Sequence, residues 1–114
     1  MKPLKFTAGE RLLLHRRRLG LSQVERAKKH RVTLYRYRGW EEGRVQPQAR
    51  IVPGFGRVRD FEACYVLRRR SGIALQSLAA LLRMTPNWLC EIEHGRQPAT
   101  RLVAHWLRQM KKEG

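Results

Sequence analysis

Apolar residues recur along this chain at helical spacing, in short bursts set between cap and stop signals. Thr7-Ala-Gly-Glu10 reads as a capping box: a Thr hydroxyl takes one orphan amide and a Glu three residues on reaches back. A helix is predicted from Ala8 to Leu19, with Gly20 as its left-handed stop. Ser22 caps a short helix reaching His30. Thr33 caps a third, with Tyr37 and Trp40 on one face and its end near Gly43. The same grammar then returns. Asp60 caps a helix through Arg70, Gly72 ends it, and a short helix runs from Leu75 to Leu82. Thr85-Pro86 sets a cap before a first-turn proline and starts a helix to His94. Pro98-Ala-Thr100 opens a last helix to Lys111, in which Leu102, Val103, Trp106, Leu107 and Met110 keep the helical period. Strand alternation is weak everywhere. Arg50-Ile-Val52 is a faint strand candidate, and a short helical turn near Gln48 to Val52 is the competing reading. The expected fold class is all-α.

The return of the grammar is an internal repeat at an offset of 52 residues, Leu21 falling on Ile73. Eleven of the 35 positions from Glu10 to Arg44 are identical to their counterparts from Glu62 to Arg96. Repetition identifies the structural unit. Two units are therefore expected, at residues 1–44 and 60–114, the second with an added terminal helix. The connector, residues 45–59, holds two prolines, two glycines and three arginines (Arg50, Arg57, Arg59). Fully extended it would span roughly 50 Å.

Charge narrows the partner. The 114 residues carry 25 Lys and Arg against 9 Asp and Glu, a net +16. Residues 1–58 hold 15 cations and 4 anions, a balance of +11, and the remainder holds 10 and 5, a balance of +5. Such a surface favours a polyanion, because each neutralised phosphate releases counterions. A membrane surface would call for a lipid-facing apolar stripe or a lipidation signal, and neither is visible. No apolar run has the length of a membrane span. The opening Met1-Lys-Pro-Leu-Lys-Phe leads into a helix start rather than a signal segment. Cys64 and Cys90 lack metal-ligand spacing and read as small apolar filler in a reducing compartment. His15, His30, His94 and His105 are scattered. No nucleophile–base pair, carboxylate pair or Gly-rich phosphate loop stands out, so no enzyme, catalytic residue, metal or cofactor is expected.

From the arginine triplets onward, both copies resemble the lambda-repressor-like, Cro-type (XRE) helix-turn-helix family. The residues that carry the likeness are Gly20-Leu-Ser-Gln23, Trp40-Glu41 and Gly43-Arg44, with Gly72-Ile-Ala-Leu75, Ile92-Glu93 and Gly95-Arg96 in the second copy. The likeness covers about residues 8–44 and 60–110. It implies two tandem helix-turn-helix units joined by the Pro/Gly/Arg connector. It also implies small residues where short helices cross, filled by Ala27 and Ala79, and a tight turn at φ > 0, filled by Arg31 and Arg83 rather than Gly. Arg26 and His30 stand where apolar residues are expected. An arginine of the first helix would pair with the glutamate closing the third, Arg16 with Glu41 and Arg68 with Glu93.

The resemblance further implies that the third helix enters the major groove and its early side chains meet base edges. Those are Thr33, Leu34, Tyr35 and Arg36, with Arg38 a turn on. Arg36 or Arg38 suits guanine O6/N7, and Leu34 suits a thymine methyl. Gln23 would grip a phosphate, flanked by Lys28, Lys29, Arg31 and Arg44. The second copy offers Thr85, Asn87 and Trp88, then Cys90, Glu91 and His94, and Leu75 replaces the phosphate-gripping Gln. It fits three roles: a weaker second reader, a dimerisation domain, or a docking surface for a protein. Trp88 and Trp106 read first as core residues, though one exposed Trp would suit a dimer seam.

The function expected is a sequence-specific double-stranded DNA-binding transcriptional regulator, a repressor of phage or mobile-element type. It would act as a homodimer in the cytoplasm, at the nucleoid of a bacterial or phage-infected cell. Two alternatives stand beside it: an antitoxin-like or anti-activator module binding a protein through the second copy, and an RNA-binding autoregulator.

Overall fold

A computed structural model describes residues 4–54 and 56–113. Residues 1–3, 55 and 114 lie outside the described residues, and with them the opening Met1-Lys-Pro, one connector residue and the outer ends of both expected units. The fold is all-α. Among the described residues there are seven α-helices, one 3-10 turn and no strand. The helices are α1 (Ala8–Leu19), α2 (Gln23–Lys29), α3 (Leu34–Glu42), α4 (Asp60–Ser71), α5 (Leu75–Leu81), α6 (Pro86–Glu93) and α7 (Arg101–Glu113). No helix among the described residues is long and apolar enough to cross a membrane.

The chain divides into two compact units, one spanning Lys5–Gly56 and the other holding Arg57–Gly114. In the first, α1 and α2 both pack on α3. Leu12, Ala27, Tyr37 and Trp40 are buried together, with Val32, Val45 and Ile51 packed against them. A fully buried Leu of this kind contributes about 2 kcal/mol. Residues 45–51 thus belong to the first unit. Their 3-10 turn is Ala49–Ile51, and it replaces the faint strand at Arg50-Ile-Val52. The reason is local: Ile51 rests on the core, and prolines at 47 and 53 withhold the amides a ladder would need.

Arg26 is the unusual member of this interior. Only 5% of it is exposed. Its Nη2 lies 3.3 Å from His30 Nε2. The His30 ring lies near-parallel to Tyr37 at 6.3 Å and edge-on to Trp40 at 5.8 Å. A polar pair therefore closes the core at two positions where apolar residues were expected, and aromatic faces take the place of aliphatic contacts.

In the second unit α4 packs on α6 and α7, and α5 packs on α6. Cys64, Val66, Leu67, Leu78, Ala79, Leu82, Leu89, Ile92, Val103 and Leu107 are buried. Trp88 is not in this core. It is 43% exposed, which corrects its first reading as a core residue. Leu102 likewise lies outside, at 45%. The cap of α4 also differs from expectation. Arg59 is the cap, extended at φ −80°, and Asp60 is the first helical residue. Glu62 completes half a capping box by accepting the Arg59 amide at 2.9 Å, so Asp60 is left to complement the helix dipole. The turns that join α2 to α3 and α5 to α6 pass through Arg31 at φ 56° and Arg83 at φ 58°.

Candidate nucleic-acid interface

The side chains of interest are set out by α3 and its neighbours. The Thr33 hydroxyl accepts the Arg36 amide at 3.1 Å and so fixes the start of the helix. Leu34 is half-buried, while Tyr35, Arg36 and Arg38 are exposed. Tyr37 and Trp40 are buried and anchor α3 to the core. Tyr35 is 73% exposed, and the Arg44 guanidinium lies over its ring at 4.6 Å. Arg44 is itself steadied by Glu42, its Nε donating to Oε2 at 2.7 Å. The phenol is thus backed by a cation on one face.

Beneath α3 sits a buried ion pair. Arg16 Nε donates to Glu41 Oε2 at 2.7 Å and Nη2 to Oε1 at 3.1 Å, a two-pronged contact. Arg16 Nη1 also donates to the Leu21 carbonyl at 3.2 Å, tying the end of α1 to the approach to α2. The second unit repeats this arrangement. Arg68 donates to Glu93 at 2.7 and 3.2 Å and to the Ile73 carbonyl at 3.1 Å. All four residues are therefore engaged in holding helices together.

Gln23 links this frame to the exposed face. Its Nε2 donates to Glu41 Oε1 at 3.0 Å, and its Oε1 accepts Arg38 Nε at 3.1 Å. Both ends of the amide are occupied, so a carboxylate inside the unit orients a guanidinium outside it. Sequence reading gave Gln23 a phosphate and missed this link to Arg38, because a contact 15 residues apart leaves no local signal. Lys28, Lys29 and Arg31 are all exposed around the end of α2. Sequence reading also missed Gln46, Gln48 and Arg50, which the packing of Ile51 brings beside α3. The apolar pair Val45 and Ile51 was the signal available for it.

The second unit presents a different surface. The Thr85 hydroxyl accepts the Trp88 amide at 3.2 Å as the cap of α6. Asn87 and Trp88 are exposed. Glu91 is not an isolated anion: Arg96 Nε and Nη2 donate to it at 2.6 and 3.1 Å. That guanidinium holds the Glu91 carboxyl below the usual carboxylate range. Cys90 Sγ lies 3.6 Å from His94 Nδ1, and that nitrogen is also 2.8 Å from the Cys90 carbonyl. No group of three or more His, Cys, Asp or Glu that could hold a metal occurs among the described residues. Burial pushes the Cys64 thiol up to about 12, so it stays protonated and inert.

Two histidines colour the electrostatics of the first unit. Burial, then the nearby Arg26 and Lys29, lowers the pKa of His30. Burial, then Arg26, Arg18 and Lys29, does the same for His15. Both rings favour the neutral form in a strongly cationic setting. No family model, curated protein or solved structure matches this chain.

Proposed function

We propose that this protein is a sequence-specific double-stranded DNA-binding regulator of transcription. In this reading each unit is a helix-turn-helix module of the lambda-repressor-like kind, and α3 is the principal reading helix. One observation carries it: a single short helix is anchored by buried Tyr37 and Trp40 while Tyr35 and Arg38 project from the side away from Trp40 and Arg36 is exposed at its flank, beside exposed Lys28, Lys29 and Arg31. Phosphate contacts from the α2 cations and Arg44 would set the register, and Arg36 and Arg38 would carry base readout. The net +16 supports a polyanionic partner. A homodimer presenting two copies of α3 would occupy two half-sites and repress by occlusion, in the cytoplasm of a bacterial cell carrying phage or mobile-element DNA.

A specific observation favours a second role for the second unit. Leu81 is 74% exposed and Trp88 43% exposed, on helices that pack together. Of the two acidic residues on α6, Glu93 pairs with Arg68 inside the unit and Glu91 pairs with Arg96. Protein contact, with another subunit or with a target, suits such a surface better than base readout does.

The test is selection of bound sequences from a random duplex pool, followed by a salt titration on the recovered site. Affinity is expected to fall roughly 10³-fold or more between 50 and 200 mM salt if six or more phosphates are engaged. Retention of affinity across that range, or preference for structured RNA in competition, would overturn the proposal.

A further inference from the structure

The segment that follows α3 folds back alongside it and leaves a concavity of about 180 Å³ in the first unit. Its apolar surface comes from Trp40, Val32 and Ile51, three residues of the core and its margin. Its polar surface comes from two sides. Arg36 enters from α3, and Arg50, Gln48 and Gln46 come from the returning segment. His30 completes the lining from the end of α2.

The chemistry of this lining is one-sided. Two arginines from different elements line one small space, and no carboxylate among the described residues lines it. Arg50 is held in place by donating from Nε to the Gln48 amide oxygen at 2.8 Å. That bond leaves the Gln48 amide NH₂ as a further donor. His30 adds no negative counterpart. Because the Arg26 guanidinium can only donate, His30 Nε2 accepts from it, and the neutral ring carries its proton on Nδ1. A space rich in donors and cations, with an indole and two aliphatic side chains at its base, is complementary to a flat ring bearing an oxyanion. The volume lies below the roughly 300 Å³ at which drug-sized pockets begin, which limits the occupant to a single ring.

We propose that this concavity is a binding site for a single-ring aromatic anion, its carboxylate or phosphate held by Arg36 and Arg50 and its ring resting on Trp40. The binding itself does not depend on the DNA reading. One consequence does. Arg36 also stands on the exposed face of α3, so ligand and duplex would draw on the same guanidinium and each would weaken the other by the same factor.

Benzoate is the probe, titrated into the full-length protein and followed by amide and indole resonances. Benzamide and inorganic phosphate are the controls. Saturable shifts are expected at the Trp40 indole and the Gln48 and Arg50 amides with benzoate. Affinity for benzamide and for phosphate should be at least about tenfold lower. Arg50→Gln, at an exposed position, should weaken benzoate at least about tenfold and leave the remaining spectrum unchanged. The inference is overturned if benzoate gives no saturable shift at Trp40. It is equally overturned if phosphate binds as tightly as benzoate, which would make the concavity a seat for a DNA phosphate. Duplex affinity unchanged by saturating benzoate would remove the competition. Since the benzoate titration contains no DNA, a negative result there leaves the DNA reading standing.

Discussion

At Gly9 the backbones of α1 and α3 come so close that a Cβ would collide with the Trp40 carbonyl oxygen and stand 2.8 Å from that of Glu41. The obstacles are backbone atoms, which cannot swing away as a side chain can. Gly9→Ala is therefore expected to cost roughly 3 kcal/mol and to lower the melting temperature of the first unit by more than about 10 °C, read by calorimetry. In the repeat, Phe61 stands at the matching position, and it is Gly95 whose Cβ would meet the Phe61 ring at 2.8 Å. Both copies keep a glycine after the third helix, Gly43 and Gly95, but the second lacks the glycine of the first helix and sets the Phe61 ring against Gly95 instead. None of this could be read from Thr7-Ala-Gly-Glu10, where the capping pattern explained the segment without reference to its partner. The capping itself was legible, and the Glu10 amide donates to Thr7 Oγ1 at 3.1 Å. Also at the residue scale, Arg36→Ala combined with Arg38→Ala should weaken specific duplex binding at least about 30-fold while leaving the melting temperature nearly unchanged, since both side chains are exposed. Electrophoretic mobility shifts on the selected site, paired with calorimetry, check both halves; full affinity in the double variant would remove α3 as the reading helix.

Among the elements, α3 depends on α1 through a carboxylate that solvent does not reach. The Glu41 side chain is 0% exposed and that of Arg16 16%. Removing one partner leaves the other buried without its counter-charge, which costs about 3–5 kcal/mol. Arg16→Ala should therefore destabilise the first unit by that amount in urea denaturation. Adding Glu41→Gln should recover part of the loss, because an amide buried without its cation is less costly than a carboxylate. A loss below about 1 kcal/mol would mean that water reaches Glu41 in solution. The helix ends were mostly legible because caps act over three or four residues: Ser22, Thr33 and Thr85 each accept an amide three positions on. The exception is α4, where Asp60 carried the familiar cap chemistry but the extended backbone belongs to Arg59. Here Glu62 at the third helical position decided the frame, accepting the Arg59 amide.

For the whole molecule, charge sets both stability and partner choice. His15 and His30 have pKa values lowered from 6.5 by burial first and by neighbouring cations second. The folded chain thus binds fewer protons than the unfolded chain just below that value, and stability rises with pH there. Melting temperature should hold steady above about pH 6.5 and fall as pH drops through and below it, with His30→Gln flattening the fall. An unchanged melting temperature between pH 7.5 and about 5.5 would contradict the burial of these rings.

Sequence alone determined the all-α class, the positions of the helices, the twofold repeat and its excess of cations. It could do so because caps, stops and apolar period act within a turn or two of the backbone, and because charge is additive. It also placed Arg16 opposite Glu41 by resemblance, and the two meet at 2.7 Å. Only the tertiary structure decided that Gln23 joins Glu41 to Arg38, that residues 45–51 wall a concavity beside α3, that Gly9 separates two backbones and that Trp88 faces outward. Each of these turns on how elements approach one another in space, which caps and apolar period do not encode and which packing alone fixes.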